Sequence, residues 1–230
     1  MDFLNALILL LNYIFVPALA YGSQLAIGAI FVTLIYGILR FANFATGDMM
    51  SFGTMVAILF TWYFQSIGLS LGFLPTALLA IPFAILFMGL YMLIIDKFVF
   101  KYYRLNKSPP VQLAMVSIGV MFVTQAVVRI IIGPSDRRFF DGEKFLIKAN
   151  EFKEMTGLNE GLAIKSTQVI TIVVTIILVS TLFWFLNKTK TGKSMRAYSD
   201  NEDLALLSGI DPKKIVMITW IIAGILATIG

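Results

Sequence analysis

The sequence predicts an all-α, polytopic transmembrane bundle of about seven spans, with a broken helix near residues 40–48. Three observations carry this. Of the 230 residues, 59% are hydrophobic and 13% charged, and the mean hydropathy is +0.88. An ordinary soluble domain is roughly 45–50% apolar and about 25% charged, so a soluble fold of this size cannot hide so much apolar surface. The apolar residues also gather in runs of about 20, the length that crosses a bilayer as a helix. Finally, the runs are uniformly apolar instead of alternating, which excludes barrel strands.

The runs lie at 3–20, 22–39, 47–65, 73–95, 110–132, 166–186 and 215–230. The first two form one apolar stretch interrupted by Pro17 and Gly22, which is compatible with a turn or with a bend. No Lys or Arg precedes the first run, so it is expected to be a retained span and not a removed signal. No segment is large enough for a separate soluble domain, and residues 1–230 are expected to form a single transmembrane domain. The last run reaches Gly230 with no polar flank and is slightly short for a span. The chain is therefore expected to be C-terminally truncated.

Charge is partitioned. Apart from Arg40, every Lys and Arg falls within 96–108, 129–165 or 187–214. One span separates each consecutive pair, so the first and third lie on one side, and the positive-inside rule makes that side cytoplasmic. Residues 133–165 then form an external loop. The net charge of +5 fits loops beside anionic lipid, and no nucleic-acid partner is expected. The chain has no Cys and no His, which excludes disulfides, thiolate metal sites and His-based triads. There is no embedded pair of acids at catalytic spacing and no aspartate-rich metal motif. No catalytic residue, metal site or cofactor is expected in this chain, and it is not read as an enzyme.

Two segments stand out. From Tyr36 to Gly53, polar and small residues interrupt the apolar sequence. Unwound backbone at membrane depth survives only when buried or lining a wet cavity, and transporters place such breaks at substrate sites. Asn43, Phe44, Thr46, Gly47 and Asp48 are the substrate-path candidates, with Asp48 at a helix start that favours a carboxylate. A plain surface loop fits the same residues equally well. The second segment runs from Gly192 to Pro212. Asp200 or Asn201 is placed to cap a short amphipathic helix ending at Gly209, and Asp211-Pro212 restarts the chain into the last span. Taken alone, it fits a solvated connector better than a docking element.

Thr191-Gly192-Lys193-Ser194 ends like a phosphate-binding loop, but Asn187 stands where the pattern needs a glycine and a span precedes it in place of a strand. Nucleotide binding by this chain is rejected. Ser117, Thr124 and Gln125 share one face of the fifth run and are expected to make interhelical hydrogen bonds. The glycines at 22, 28 and 37 are expected to permit close helix packing.

The two segments together resemble the branched-chain amino-acid permeases of ATP-binding-cassette (ABC) importers, whose relatives carry urea and short amides. The first signature matches at Tyr36-Gly37, Asn43-Phe44-Ala45-Thr46-Gly47-Asp48 and Gly53, with Thr46 where many members have His and Asp48 where many have Glu. The second, the loop that docks on the ATPase, matches at Gly192, Lys193, Arg196, Ala197, Asp200, Asn201, Ala205, Gly209 and Ile210. The likeness covers nearly the whole chain. It implies a bacterial inner-membrane permease that moves branched-chain amino acids or related small polar solutes by alternating access, with residues 188–213 as the cytoplasmic ATPase-coupling loop. It also implies the partners: a second permease, two cytoplasmic ATPase subunits that hold ATP and magnesium, and a periplasmic solute-binding protein. Two other readings compete. An ion-coupled transporter or channel would place ionisable residues inside its spans, where this chain has almost none beyond Arg40 and Asp48. A membrane scaffold would need 36–53 to be a plain loop.

Overall fold

A helix satisfies its own backbone, so a long apolar run in lipid becomes a helix. The computed structural model describes residues 2–69, 74–135, 137, 145–157 and 160–230. Segments Asp2–Leu10, Leu11–Phe15 and Val16–Leu39 follow one another without interruption and form α1. Helix α2 is Thr46–Ser66. Helix α3 begins as Ala77–Ile95 and continues through Asp96–Phe100 into Lys101–Leu105. Helix α4 is Pro110–Ile132. Two short antiparallel strands, β1 (Phe145–Ile147) and β2 (Ile164–Lys165), flank α5 (Ala149–Thr156). There follow α6 (Ser166–Lys188), α7 (Lys190–Asp200), α8 (Glu202–Leu207) and α9 (Pro212–Ile229).

The seven expected spans are not found. Among the described residues, five helices are both long and apolar enough to cross a membrane: Phe3–Leu39, Ala77–Leu105, Pro110–Ile132, Ser166–Lys188 and Pro212–Ile229. The runs at 3–20 and 22–39 are one helix. Leu11–Phe15 makes a wide π turn, which opens the ladder where the Pro17 ring would strike the carbonyl four residues back. Pro17 follows directly in the next segment of the same helix and lacks the N–H that would continue the ladder. The run at 47–65 is the 21-residue α2. It is long enough to cross, but Thr46, Gly47, Asp48, Ser51, Thr54, Gln65 and Ser66 hold its hydropathy below that of the other five.

The basic segments 96–108 and 187–214 meet at one face of the bundle, as their spacing predicts. Arg40, at the end of α1, donates to the Asp200 carbonyl at 3.0 Å. Trp220 of α9 donates its indole N–H to Asp96 at 2.7 Å, and Arg104 grips the same carboxylate with contacts of 2.7 and 3.1 Å. Asp96 is thus engaged at both carboxylate oxygens. At the opposite face, the Ala163 N–H donates to the Asn12 side chain at 3.3 Å, tying the amino-terminal part of α1 to the segment between α4 and α6. Residues 136, 138–144 and 158–159 of the expected external loop lie outside the described residues.

Helix α9 is the centre of the packing and touches α1, α2, α3 and α7. Its Trp220, Ala223, Leu226 and Ala227 are buried, and Trp220 stacks on Phe100 with ring centroids 5.4 Å apart. Lipid tails are as apolar as leucine, so close van der Waals contact between small residues drives such packing. A Cβ at Gly224 would lie 3.2 Å from the Gly89 Cα, and one at Gly53 3.2 Å from the Thr228 Cα. These are the close crossings, and the expectation placed on Gly22, Gly28 and Gly37 is corrected. A Cβ at Gly22 meets nothing within 4 Å, and at Gly28 and Gly37 it meets only ordinary contacts.

Candidate functional site: the helix break and the loop beneath it

Helix α1 ends at Leu39 and α2 begins at Thr46, so the break spans 40–45, narrower than the expected 40–48. It opens at Arg40, whose backbone is left-handed (φ 56°, ψ 31°) and whose N–H still bonds the Tyr36 carbonyl at 3.0 Å. Side chains then alternate between inside and outside. Phe41, Asn43 and Ala45 are buried, whereas Ala42 and Phe44 are exposed. Phe41 anchors against Phe100, with ring centroids 5.0 Å apart. Asn43 accepts the Ala45 N–H at 3.1 Å and donates to the Met49 sulfur at 3.6 Å. It shapes the turn into α2.

The Phe44 N–H donates to Ser117 Oγ at 2.9 Å. Ser117 lies seven residues into α4, about 10 Å along the axis at 1.5 Å per residue. The break is therefore level with the interior of α4 and not with its end. Ser117 and Thr124 are fully buried, and Thr124 shares a 2.6 Å hydrogen bond with the Tyr91 hydroxyl of α3. Thr124 thus makes the interhelical bond that its spacing predicts, whereas Ser117 holds the break between α1 and α2 and not another helix. Tyr91 stacks on Phe52 of α2 at 4.0 Å, and the Asp48 carboxylate is within electrostatic reach of it. Asp48 occupies the first turn of α2, where the helix dipole favours its charge.

Of the five substrate-path candidates, Phe44 and Gly47 are exposed, Thr46 and Asp48 are half-buried, and Asn43 is buried as a structural brace. Tyr91 was missed. A tyrosine in an apolar span is an ordinary packing residue until its neighbours are known.

Beneath the break lies the loop from Lys188 to Pro212. Thr189 caps α7 by accepting the Gly192 N–H at 3.0 Å. At the α6–α7 corner a Cβ on Gly192 would sit 2.2 Å from the Phe185 carbonyl oxygen, so only glycine fits. Met195 and Tyr198 of α7 point into the core. Arg196 is exposed and bonds Asn187 at 2.7 Å; Ala197 and Asp200 are also exposed. Asn201 caps α8 by accepting the Leu204 N–H at 3.1 Å, and Gly209 ends it with φ of 80°. Ile210 is half-buried. Ala205 is 3% exposed and faces inward. The outward face of α8 instead presents Leu204 (61% exposed) and Leu207 (85% exposed). Two leucines three apart in a charged loop were the available signal for them.

The five long apolar helices among the described residues are those of a multi-pass membrane protein. The model of the family described as "Branched-chain amino acid transport system / permease component" matches residues 14–230, and the chain belongs to that family. The high-affinity branched-chain amino acid transport system permease protein LivH of Escherichia coli (strain K12) is 25% identical over 213 residues, covering 91% of this chain and 65% of the relative. BraD of Pseudomonas aeruginosa, which carries the same description, is 24% identical over 217 residues, 94% of this chain and 67% of its own. The probable branched-chain amino acid transport permease protein LivH of Methanocaldococcus jannaschii is 27% identical over 222 residues, 93% of this chain and 62% of its own. The chain thus spans about two thirds of the length of the curated relatives it matches. No solved structure matches it significantly.

Proposed function

We propose that this chain is a membrane-spanning subunit of an ATP-driven importer, carrying branched-chain amino acids or related small polar solutes by alternating access. The observation that carries the reading is the break at 40–45, held level with the interior of α4 by the Phe44–Ser117 bond and hydrogen-bonded through Arg40 to the end of α7. A polar break at depth offers backbone groups and the Asp48 carboxylate to a zwitterionic solute. The tie to α7 gives a cytoplasmic machine a handle on it. The similarity to branched-chain amino acid permeases suggests the substrate class.

On this reading the basic face is cytoplasmic and the membrane is the bacterial inner membrane. Residues 188–213 dock on an ATPase. Leu204 and Leu207, exposed on the outward face of α8, form the apolar contact. The chain catalyses no covalent step. ATP and magnesium reside in two partner ATPase subunits, a second permease completes the pathway and a periplasmic protein delivers solute. ATP binding and hydrolysis shift the permease between outward- and inward-facing states by binding them unequally.

The test is uptake of radiolabelled leucine into proteoliposomes carrying the complex with its ATPase. Uptake that needs ATP inside the coupled system supports the reading. Uptake driven by an imposed proton or sodium gradient without ATP supports an ion-coupled transporter instead, and complete inactivity with an intact complex supports a scaffold.

A further inference from the structure

Two helix carboxyl ends abut on the basic face. The Tyr36 and Ala197 carbonyls accept the Arg40 and Asn201 N–H groups, and the carbonyls that follow them, Gly37 to Leu39 at the end of α1 and Tyr198 to Asp200 at the end of α7, lie beyond the helical ladder. Each end carries partial negative charge, so their approach is unfavourable without a cation between them. Arg40 is that cation. Its guanidinium donates to the Ser199 carbonyl and, at 3.0 Å, to the Asp200 carbonyl. Ser199 answers in the other direction, its hydroxyl donating to the Gly37 carbonyl at 2.6 Å. The position of Arg40 in the chain is also informative. A left-handed residue just past a helix is most often glycine, because a side chain is disfavoured there. An arginine at φ 56° keeps the strain and gains the side chain. Arginine also suits the task because its planar fork is less strongly hydrated than an ammonium and presents several N–H groups in fixed directions.

We infer that Arg40 is a positioning residue that latches the end of α7 to the end of α1, so that α7, the last turn of α1 and the break at 40–45 move as one unit. The inference rests on the importer reading for its role: displacement of α7 by a bound ATPase is delivered to the break through this latch. Phe41 and Asn43, buried immediately beyond Arg40, pass the movement on to the turn that carries Phe44 and Asp48.

The test uses the complex with its permease and ATPase partners in proteoliposomes, with radiolabelled leucine as probe and leucine taken up per ATP hydrolysed as readout. Arg40→Gly is the informative variant, since glycine relieves the backbone strain and leaves the helix end intact. The latch predicts ATP hydrolysis near the wild-type rate with uptake per ATP reduced roughly tenfold, within the range of ordinary coupling energies, and an intermediate value for Arg40→Lys. A Cβ at Gly37 would lie 4.0 Å from the Ser199 hydroxyl, and the chain has no cysteine. Gly37→Cys with Ser199→Cys therefore offers a specific disulfide in place of the latch. Oxidation should restore uptake to Arg40→Gly and reduction should abolish it again. Unchanged uptake per ATP in Arg40→Gly overturns the inference, as does a disulfide that blocks uptake when Arg40 is present. A wild-type complex without ATP-driven uptake would instead sink the importer reading. The latch is then decided by the rate of disulfide formation in membranes, roughly tenfold faster with Arg40 than in Arg40→Gly; equal rates overturn it.

Discussion

The backbone N–H of Phe44 donates to the hydroxyl of Ser117, 73 positions away, at 2.9 Å, and this bond ties the helix break to the interior of α4. Ser117→Ala removes the partner of this part-buried N–H, at a cost of about 1 kcal/mol. The expected outcome is a lower unfolding temperature in detergent together with reduced leucine uptake, and Ser117→Thr should retain both. An alanine variant indistinguishable from wild type in both measurements would place the anchor of the break elsewhere.

Glycines separate into two classes with opposite predictions. At Gly224 an added Cβ approaches the backbone of Gly89 at 3.2 Å, and two backbones cannot easily part inside a packed bundle. Gly224→Val should destabilise by about 1–3 kcal/mol through overpacking. Gly22 lies in the middle of α1 with nothing within 4 Å, so Gly22→Ala should be neutral or stabilising by about 0.5–1 kcal/mol. Thermal unfolding of the two variants side by side checks both signs.

The α6–α7 corner is the least tolerant point of the basic face. At Gly192 a Cβ would lie 2.2 Å from the Phe185 carbonyl and 2.6 Å from the Leu186 Cα, and none of these backbone atoms can swing aside. Gly192→Ala should open the corner, expose Met195 and Tyr198, and raise proteolytic cleavage between α6 and α7. Protease resistance equal to wild type would contradict this account.

Tyr198 has its phenol pushed well above the usual tyrosine range, first by burial and then by its hydrogen bond to Glu202; Arg104 and Arg40 oppose the shift in smaller measure. The protonated form is the one the fold favours. Its contribution to stability is therefore fully present below the unfolded tyrosine value of about 10 and is lost as pH rises from there towards the folded value. Between neutral pH and about 10 this group adds no slope to the stability curve. In an ultraviolet titration of tyrosinate, the component missing from Tyr198→Phe should be one that ionises above about 10. A missing component at or below that value would show that the phenol is not buried against Glu202.

Much of this architecture is legible in the sequence because it is local. Apolar length marks α4 and α6 to within two residues. Asn201, Gly209 and Asp211-Pro212 mark the ends of α8 and the start of α9, since a cap needs only its own neighbours. Other features are not local. Pro17 reads as a breaker, but the π turn before it absorbs the clash. Helix α7 is charged along one side and buried along the other, so no apolar run announces it. The pairing of Gly224 with Gly89 and of Arg40 with Asp200 exists only once distant segments are packed. Arg40 did leave a trace, as the one basic residue outside the three basic segments.

On the proposed importer function, ATP-dependent motion enters this chain through α8 and reaches the break at 40–45. The most direct measurement compares wild type with Leu207→Glu, a change at an 85% exposed position that leaves the core untouched. The readouts are ATPase retention on affinity purification and ATP-dependent leucine uptake in proteoliposomes. Wild type is expected to retain the ATPase and take up leucine only with ATP, and Leu207→Glu to keep its helical content but lose both. Full ATPase retention and uptake by Leu207→Glu, or wild-type uptake that follows an ion gradient without ATP, would contradict it.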